Sequence, residues 1–467
     1  MRLPDNMAAK SQVIGTQGSR YVYWVTAVAA LGGLLFGYDI AIINGALVFL
    51  KQQLGLGTLE TELAASGLLI GCIIGAAAAG NLADLYGRRR LLLIAALLFA
   101  ASSILAAIPR TLSEFVIARF VGGLGIGTAS VIAPVYIAEL SPAHLRGRLV
   151  SLNQLAIVSG ILLAYTASWM LSELGSSSWR WMFASALVPA LGFLFALLGV
   201  PESPRWLVKE GRIEEALAVL TKVRQNTGTA QAELCEIERA VAEESSSFAE
   251  LFRRPLRRPL AIATMLAILQ QITGVNTILF YGALIFTEQL RSQAPEGALL
   301  ANVVIGTTNF VFTLVALSII DRVGRRPILL LASSGMTGSL ILLGALFRWQ
   351  PSEAKLILSA ILTYVAFFAV GMGPGVWVVI SELFPTRVRG RAAAIATVAL
   401  WSACTFLTMT FLSLVDLLSA PGAFWLYAAI SAGAFWYVYH HVPETRGKTL
   451  EEIERSWFEV KNPNGKR

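Results

Sequence analysis

The chain has 467 residues, 56% of them hydrophobic and only 14% charged, and carries a net charge of +8. A soluble domain has about 25% charged residues, so this composition excludes one and points to an integral membrane protein.

Runs of about 20 apolar residues, each enough to cross the ~30 Å hydrocarbon core as a helix, recur twelve times along the sequence. They fall at 21–47, 61–84, 91–108, 114–139, 149–171 and 180–200, then at 259–287, 299–320, 327–347, 356–380, 391–415 and 422–442. Arginines follow every second run: Arg88, Arg89 and Arg90 after the second, Arg146 and Arg148 after the fourth, Arg322, Arg325 and Arg326 after the eighth, Arg387 and Arg389 after the tenth. The opposite loops hold only scattered charges such as Lys51, Arg110 and Arg291. Because basic loops stay on the cytoplasmic side, both termini are expected there, and the positive charge reflects topology rather than a nucleic-acid surface.

The first apolar run opens after about twenty polar residues and continues past the small-residue stretch AVAA, so it is expected to stay as a helix rather than be cleaved. Cys72, Cys235 and Cys404 are scattered and show neither disulfide nor metal spacing, and His144, His440 and His441 fall at membrane edges. No nucleophile–base pair, metal cluster or phosphate loop suggests an enzyme, and no cofactor is called for.

The second half of the chain repeats the first. DLYGRRR from Asp84 returns as DRVGRRP from Asp321, ELSPAHLRGR from Glu139 as ELFPTRVRGR from Glu382, and PESPR from Pro201 as PETRG from Pro443. Two parallel six-helix halves follow, 21–200 and 259–442, with a polar helical insert at 201–258 and a tail at 443–467. Such halves suit alternating access around a site at mid-membrane. The insert is either a passive linker or a latch between the basic loops of both halves. The repeated charges are either topology signals or a cytoplasmic gate of ion pairs across the mouth. The gate would comprise Asp84, Arg88, Glu139, Arg146, Glu202, Arg205, Asp321, Arg325, Glu382, Arg389 and Glu444.

Asp39 lies in the otherwise apolar stretch GGLLFGYDIAIINGALVFL. It falls about 17 residues, ~25 Å, into the first span, and Arg119 about five residues, ~8 Å, into the oppositely directed fourth. Both thus reach a similar depth. Since one intramembrane charge costs at least ~2.5–3.5 kcal/mol, a mutual pair facing the bundle interior is expected. The bland role is pairing alone; the sharper one is a proton switch, in which a proton on Asp39 loosens Arg119 and so favours one step of a cycle.

Mid-depth amides at Gln154, Gln270, Gln271, Asn276 and Asn309 offer donors and acceptors without charge, which fits a neutral polyhydroxylated ligand. The alternative, for each taken singly, is a bond to a neighbouring helix alone. On a regular helix Gln271 and Asn276 diverge by about 140°, so unwinding near Gly274 is needed to turn both inward. Trp401, about ten residues into its span, is too deep for an interfacial belt, and Trp377 follows the GMGPG break; either indole can cover a sugar's C–H face.

GGLLFGYD, ADLYGRRR, YIAELSPAHLRGRLVSLNQ, PESPRWL, QQITGVN, DRVGRRP, GPGVWVVISELFPTRVRGR and PETRGKTLEEIE, in this order over nearly the whole chain, resemble the sugar porter family of the major facilitator superfamily. The resemblance implies an all-α membrane protein of twelve transmembrane helices in two parallel halves. It further implies sugar-binding roles for Gln154, Gln270, Gln271, Asn276, Asn309, Trp377 and Trp401, and proton coupling by Asp39 with Arg119. Proton-coupled members typically carry Asp at position 39, facilitative ones often a neutral Asn; Asn44 is five residues too far to substitute. Leu400 and Cys404 depart from the usual polar residues, and Ile161 is closer to glucose-carrying than to xylose-carrying members. The expected activity is proton symport of a hexose, glucose first, with facilitative uniport, or symport of xylose, galactose or inositol, as alternatives. A sugar sensor would be expected to carry a longer cytoplasmic tail than the roughly 25 residues here. The expected partners are a monosaccharide, a proton and membrane lipid, with no nucleic acid, for a monomer in the inner membrane.

Overall fold

The structure, a computed structural model, describes residues 20–142, 145–242, 251–252, 256–289, 295–384 and 386–446. His144, Arg291 and the tail past Arg446 lie outside that set, as do the side chains of Arg146 and Arg387. Regular structure among the described residues is helical, as hydrocarbon demands: with no water to bond, each N–H and C=O needs a partner, and a helix supplies it locally.

Five long helices come first: α1 (Arg20–Leu54), α2 (Thr58–Tyr86), α3 (Arg88–Ala107), α4 (Leu112–Leu140) and α5 (Arg146–Leu171). The sixth span is expected as one helix over 180–200 but is broken at Ala186 into α6 (Ser178–Ser185) and α7 (Leu187–Leu198). Three short helices, α8 (Pro204–Lys209), α9 (Ile213–Arg224) and α10 (Thr227–Ala242), form the insert. The seventh span is α11 (Arg257–Ile272) and α12 (Val275–Leu284), followed by α13 (Pro295–Val323) and α14 (Arg325–Trp349). In the tenth, α15 (Ala354–Phe367) passes through a π-turn at Phe368–Met372 into α16 (Gly373–Glu382). Finally α17 (Thr386–His441) carries two spans around a kink at Ser419, where φ is +61° and Pro421 follows. Among the described residues, ten stretches are long and apolar enough to cross a membrane. Two of them, Gly147–Leu198 with 52 residues and Val388–His441 with 54, are each long enough for two passes, which gives twelve crossings.

The outer surface is apolar, with Ile117, Val188 and Phe195 exposed, while Arg119 and Asn44 are fully buried. Helices therefore associate through close backbone packing rather than by hiding grease from water. A Cβ at Gly37 would stand 1.9 Å from the Ile157 carbonyl, and one at Gly123 would stand 1.9 Å from that of Leu68, so α1 meets α5, and α2 meets α4, main chain to main chain.

The insert folds around its own small core of Trp206, Leu207, Ala216, Leu220, Ala230 and Leu234. It docks on the first six spans. The Trp206 indole donates to the Asp84 carbonyl at 3.0 Å, Lys209 pairs with Asp84 at 3.1 Å, and Arg224 caps α4 through the Leu140 carbonyl at 2.8 Å.

Candidate functional site

A cavity lies between the first six spans and the last six, with an empty volume of about 740 Å³ that includes space open to solvent. All eight residues expected around a sugar, Gln154, Ile161, Gln270, Gln271, Asn276, Asn309, Trp377 and Trp401, line it, together with Leu400 and Cys404.

The break between α11 and α12 makes this convergence possible. Gly274 has φ +100° and ψ 6°, a left-handed setting that restarts the helix in a new direction. The backbone groups freed there find partners: Tyr364 donates its hydroxyl to the Thr273 carbonyl at 3.0 Å, and Thr277 donates to the Gly274 carbonyl at 2.7 Å. With the helix re-aimed, the Asn276 amide donates directly to Gln271 Oε1, and at 3.0 Å to the Cys404 sulfur. Gln271 Nε2 donates to Gln270 Oε1 at 3.2 Å. Gln270 Nε2 in turn reaches the Met372 and Gly373 carbonyls, at 2.7 and 2.9 Å, where the π-turn of the tenth span leaves acceptors free. Three amides thus form one string from the tenth span to the eleventh. Trp401, 2% exposed, meets Phe36 edge to face at 5.3 Å and approaches the Ser130 hydroxyl at 3.4 Å, joining the two walls.

Behind the cavity wall, one residue before the lining Ile40, Asp39 pairs with Arg119. Arg119 Nη1 donates to Asp39 Oδ1, and Nη2 donates to the Asp39 main-chain oxygen at 2.9 Å. The guanidinium is fully buried, lies 5.0 Å from the Phe183 ring centre, and keeps Nε without a partner. Gly122 gives the carboxylate room, since a Cβ there would come within 3.2 Å of Asp39 Oδ2.

Among the described residues, several hydrogen bonds join the two sets of six spans at mid-depth and at the end away from the insert. Asn44 inserts its amide into α12: Nδ2 donates to the Ile278 and Leu279 carbonyls at 3.1 and 2.9 Å, and Oδ1 accepts the Ala283 N–H at 2.7 Å. Glu62, 2% exposed, accepts both the N–H and the hydroxyl of Ser413 at 2.8 Å. Thr58 donates to Asp416 at 2.9 Å. Sequence reasoning missed all three closures. Asn44 and Glu62 had shown themselves only as polar residues within apolar spans, a signal weighed for Asp39 and not for them.

The repeated basic motifs differ from the expected pairing across the mouth. Arg88 bonds Glu139 through Nε and Nη2, both at 3.1 Å, and Asp84 at 3.2 Å. Arg325 bonds Glu382 at 3.2 and 2.9 Å and Asp321 at 2.9 Å. Each node closes within its own half. Glu202 accepts the N–H groups of Arg88 and Arg89, Glu444 those of Arg325 and Arg326, each at a helix start preceded by a positive-φ glycine, Gly87 or Gly324. Carboxylates are drawn there by the free N–H groups and the positive end of the helix dipole. Ser203 and Thr445 complete the nodes by donating to Glu139 and Glu382. Burial raises the Glu444 pKa, but the N–H groups of Arg446, Arg325 and Arg326 outweigh it and hold the carboxyl below its ordinary value. Arg389 points to the Phe384 carbonyl at 3.3 Å, and Arg205 lies on α8.

The family profile described as "Sugar (and other) transporter" matches residues 25–457. The arabinose-proton symporter of Bacillus subtilis (strain 168) is 37% identical over 97% of this chain and 99% of its own. The glucose transport protein of Synechocystis sp. is 39% identical over 94% of this chain and 98% of its own. Among solved structures, a partially occluded inward-open form of the xylose transporter XylE from E. coli superposes with a TM-score of 0.82 at 36% identity, covering 92% of this chain and all of that one. With twelve crossings, a central amide-lined cavity and full-length similarity to transporters, the chain belongs to the sugar porter family of the major facilitator superfamily.

Proposed function

We propose that this chain is a proton-coupled monosaccharide symporter that works by alternating access, with glucose as the leading substrate. The observation that carries this is the placement of a buried acid–guanidinium pair one residue behind a cavity lined by uncharged amides and two indoles. The kinship with an arabinose-proton symporter supports the coupling, and that with a glucose transport protein supports the hexose.

In this scheme Gln154, Gln270, Gln271, Asn276 and Asn309 exchange hydrogen bonds with sugar hydroxyls, while Trp377 and Trp401 cover its C–H face. Ile161 and Leu400 form an apolar edge. A proton on Asp39 removes the charge that draws Arg119 to its carboxylate, and the α1–α4 contact loosens. Because Ile40 and Phe36 of the same helix line the cavity, that loosening reaches the sugar directly. The basic loops support a cytoplasmic position for the insert and both termini, with the chain in the inner membrane. The closures by Asn44, Glu62 and Thr58 then lie on the outer side, so the described state faces inward, and its arginine nodes are those of an open cytoplasmic gate. One charge moved through 100 mV supplies ~2.3 kcal/mol, enough for about 50-fold accumulation. The chain works as a monomer in this scheme, since cavity and pair lie within one copy.

Proteoliposomes test this. Glucose entry should alkalinise the external medium in step with uptake, and glucose, galactose, xylose, fructose and inositol should compete in a graded order. Uptake without proton movement would make the chain a uniporter; binding without uptake would make it a sensor.

A further inference from the structure

Thr313 lies one turn beyond Asn309 on α13, and both line the cavity. Hydroxyls on the membrane helices mostly bond back to their own helix: Thr307 and Thr308 donate to the Val303 and Val304 carbonyls at 2.8 and 2.9 Å, and Thr397 and Thr405 do the same at 2.8 and 2.7 Å. Thr313 does not. Its side chain is 1% exposed, and its Oγ1 is buried without a hydrogen-bond partner. A buried hydroxyl left unpaired is unfavourable and calls for an explanation, and a cavity-lining position supplies one, namely a ligand that completes it. In a helix Thr has two accessible χ1 settings, so the hydroxyl can swing toward a ligand without moving the backbone.

The other polar groups of the cavity sharpen the point. Gln270, Gln271 and Asn276 already bond one another and the π-turn carbonyls. Asn309 and Gln154 make no hydrogen bond among the described residues, so uncommitted polar capacity sits on α5 and α13. Leu400 and Cys404 leave the α17 side weakly polar.

We propose that Thr313 is a substrate-contacting, specificity-determining residue, whose hydroxyl bonds one hydroxyl of the bound monosaccharide beside the Asn309 amide. This rests on the monosaccharide reading above. The sugar should thus be held on α13 by two neighbouring groups, and a sugar that presents no hydroxyl, or a misdirected one, to that ledge should bind less well.

The test uses the full chain in detergent and isothermal titration with glucose and its complete set of monodeoxy analogues. T313V keeps the shape and removes the hydroxyl; T313S keeps the hydroxyl; T313A substitutes for T313V if the latter folds poorly. T313V should weaken glucose binding about 3- to 10-fold, the scale of one neutral hydrogen bond, while one deoxy analogue binds wild type and T313V alike and T313S retains wild-type affinity for glucose. Equal loss for glucose and every analogue, or no loss at all, overturns the assignment. A wild type that binds no monosaccharide overturns the functional reading instead.

Discussion

Replacing Gly274 with alanine should separate the helix break from the rest of the fold. A non-glycine residue at φ +100° costs about 1–3 kcal/mol. The new Cβ would also stand 2.9 Å from two carbons of the Tyr427 ring, well inside van der Waals contact, and such overpacking costs about 1–3 kcal/mol. A load of roughly 2–6 kcal/mol favours straightening the α11–α12 junction. A straight helix would turn Asn276 about 140° from Gln271 and break their hydrogen bond. Two amide contacts to the sugar would then be lost, about 1–3 kcal/mol in all, or roughly 5- to 150-fold in Kd. Titration calorimetry on purified protein measures that loss, and thermal unfolding in the same detergent reports the strain. Asparagine at this position tolerates left-handed backbone but brings the same Cβ against Tyr427, so Gly274→Asn should fall between alanine and wild type. A Gly274→Ala protein with wild-type sugar affinity and wild-type unfolding temperature would refute the claim that this break assembles the site.

Four further outcomes are expected. Asp39→Asn should reduce about 50-fold accumulation to equilibration while leaving sugar exchange intact; retained accumulation in a voltage-driven uptake assay counts against the coupling role. Asn44→Ala removes four hydrogen bonds made between the halves, roughly 2–6 kcal/mol, and should open the outer end, measured as faster maleimide labelling of a cysteine placed at Thr58; an unchanged rate contradicts it. Gly37→Val drives a Cβ toward the Ile157 carbonyl, 1.9 Å away, and should lower the unfolding temperature and weaken sugar binding together, both read in one thermal-shift titration. Glu444, held below its ordinary pKa, contributes stability that is fully present above about pH 4.3 and is lost as pH falls through its folded value. Unfolding temperature against pH should therefore slope less steeply below that point in Glu444→Gln than in wild type, and parallel curves would show the carboxylate to be idle.

The legible parts of this molecule were those where one sequence number fixes a physical constraint. Counting residues from opposite membrane faces brought Asp39 and Arg119 to one depth, and the structure places them in contact. The 140° problem required a break near Gly274, and a left-handed glycine is there. Partner choice was less legible. The repeat of Asp84, Arg88 and Glu139 in Asp321, Arg325 and Glu382 shows which charges belong together, but the same pattern serves closure within a half or across the mouth. Backbone acceptors leave no trace in a motif search, so the bonds from Asn44 to the Leu279 carbonyl and from Gln270 to that of Met372 were invisible. The break at Ala186 was legible but unused: Pro189 has no N–H for the Ser185 carbonyl and crowds it, so the ladder is interrupted there.

Arg119 grips Asp39 twice, once at the carboxylate and once at the main-chain oxygen. Only the first attachment depends on the side chain; the second is made to the main chain. Under the coupling proposed above, neutralising Asp39 would slacken the guanidinium while leaving it a backbone partner. A transporter moored in this way would pass through its stroke without a fully naked charge, its tightness graded rather than all-or-none.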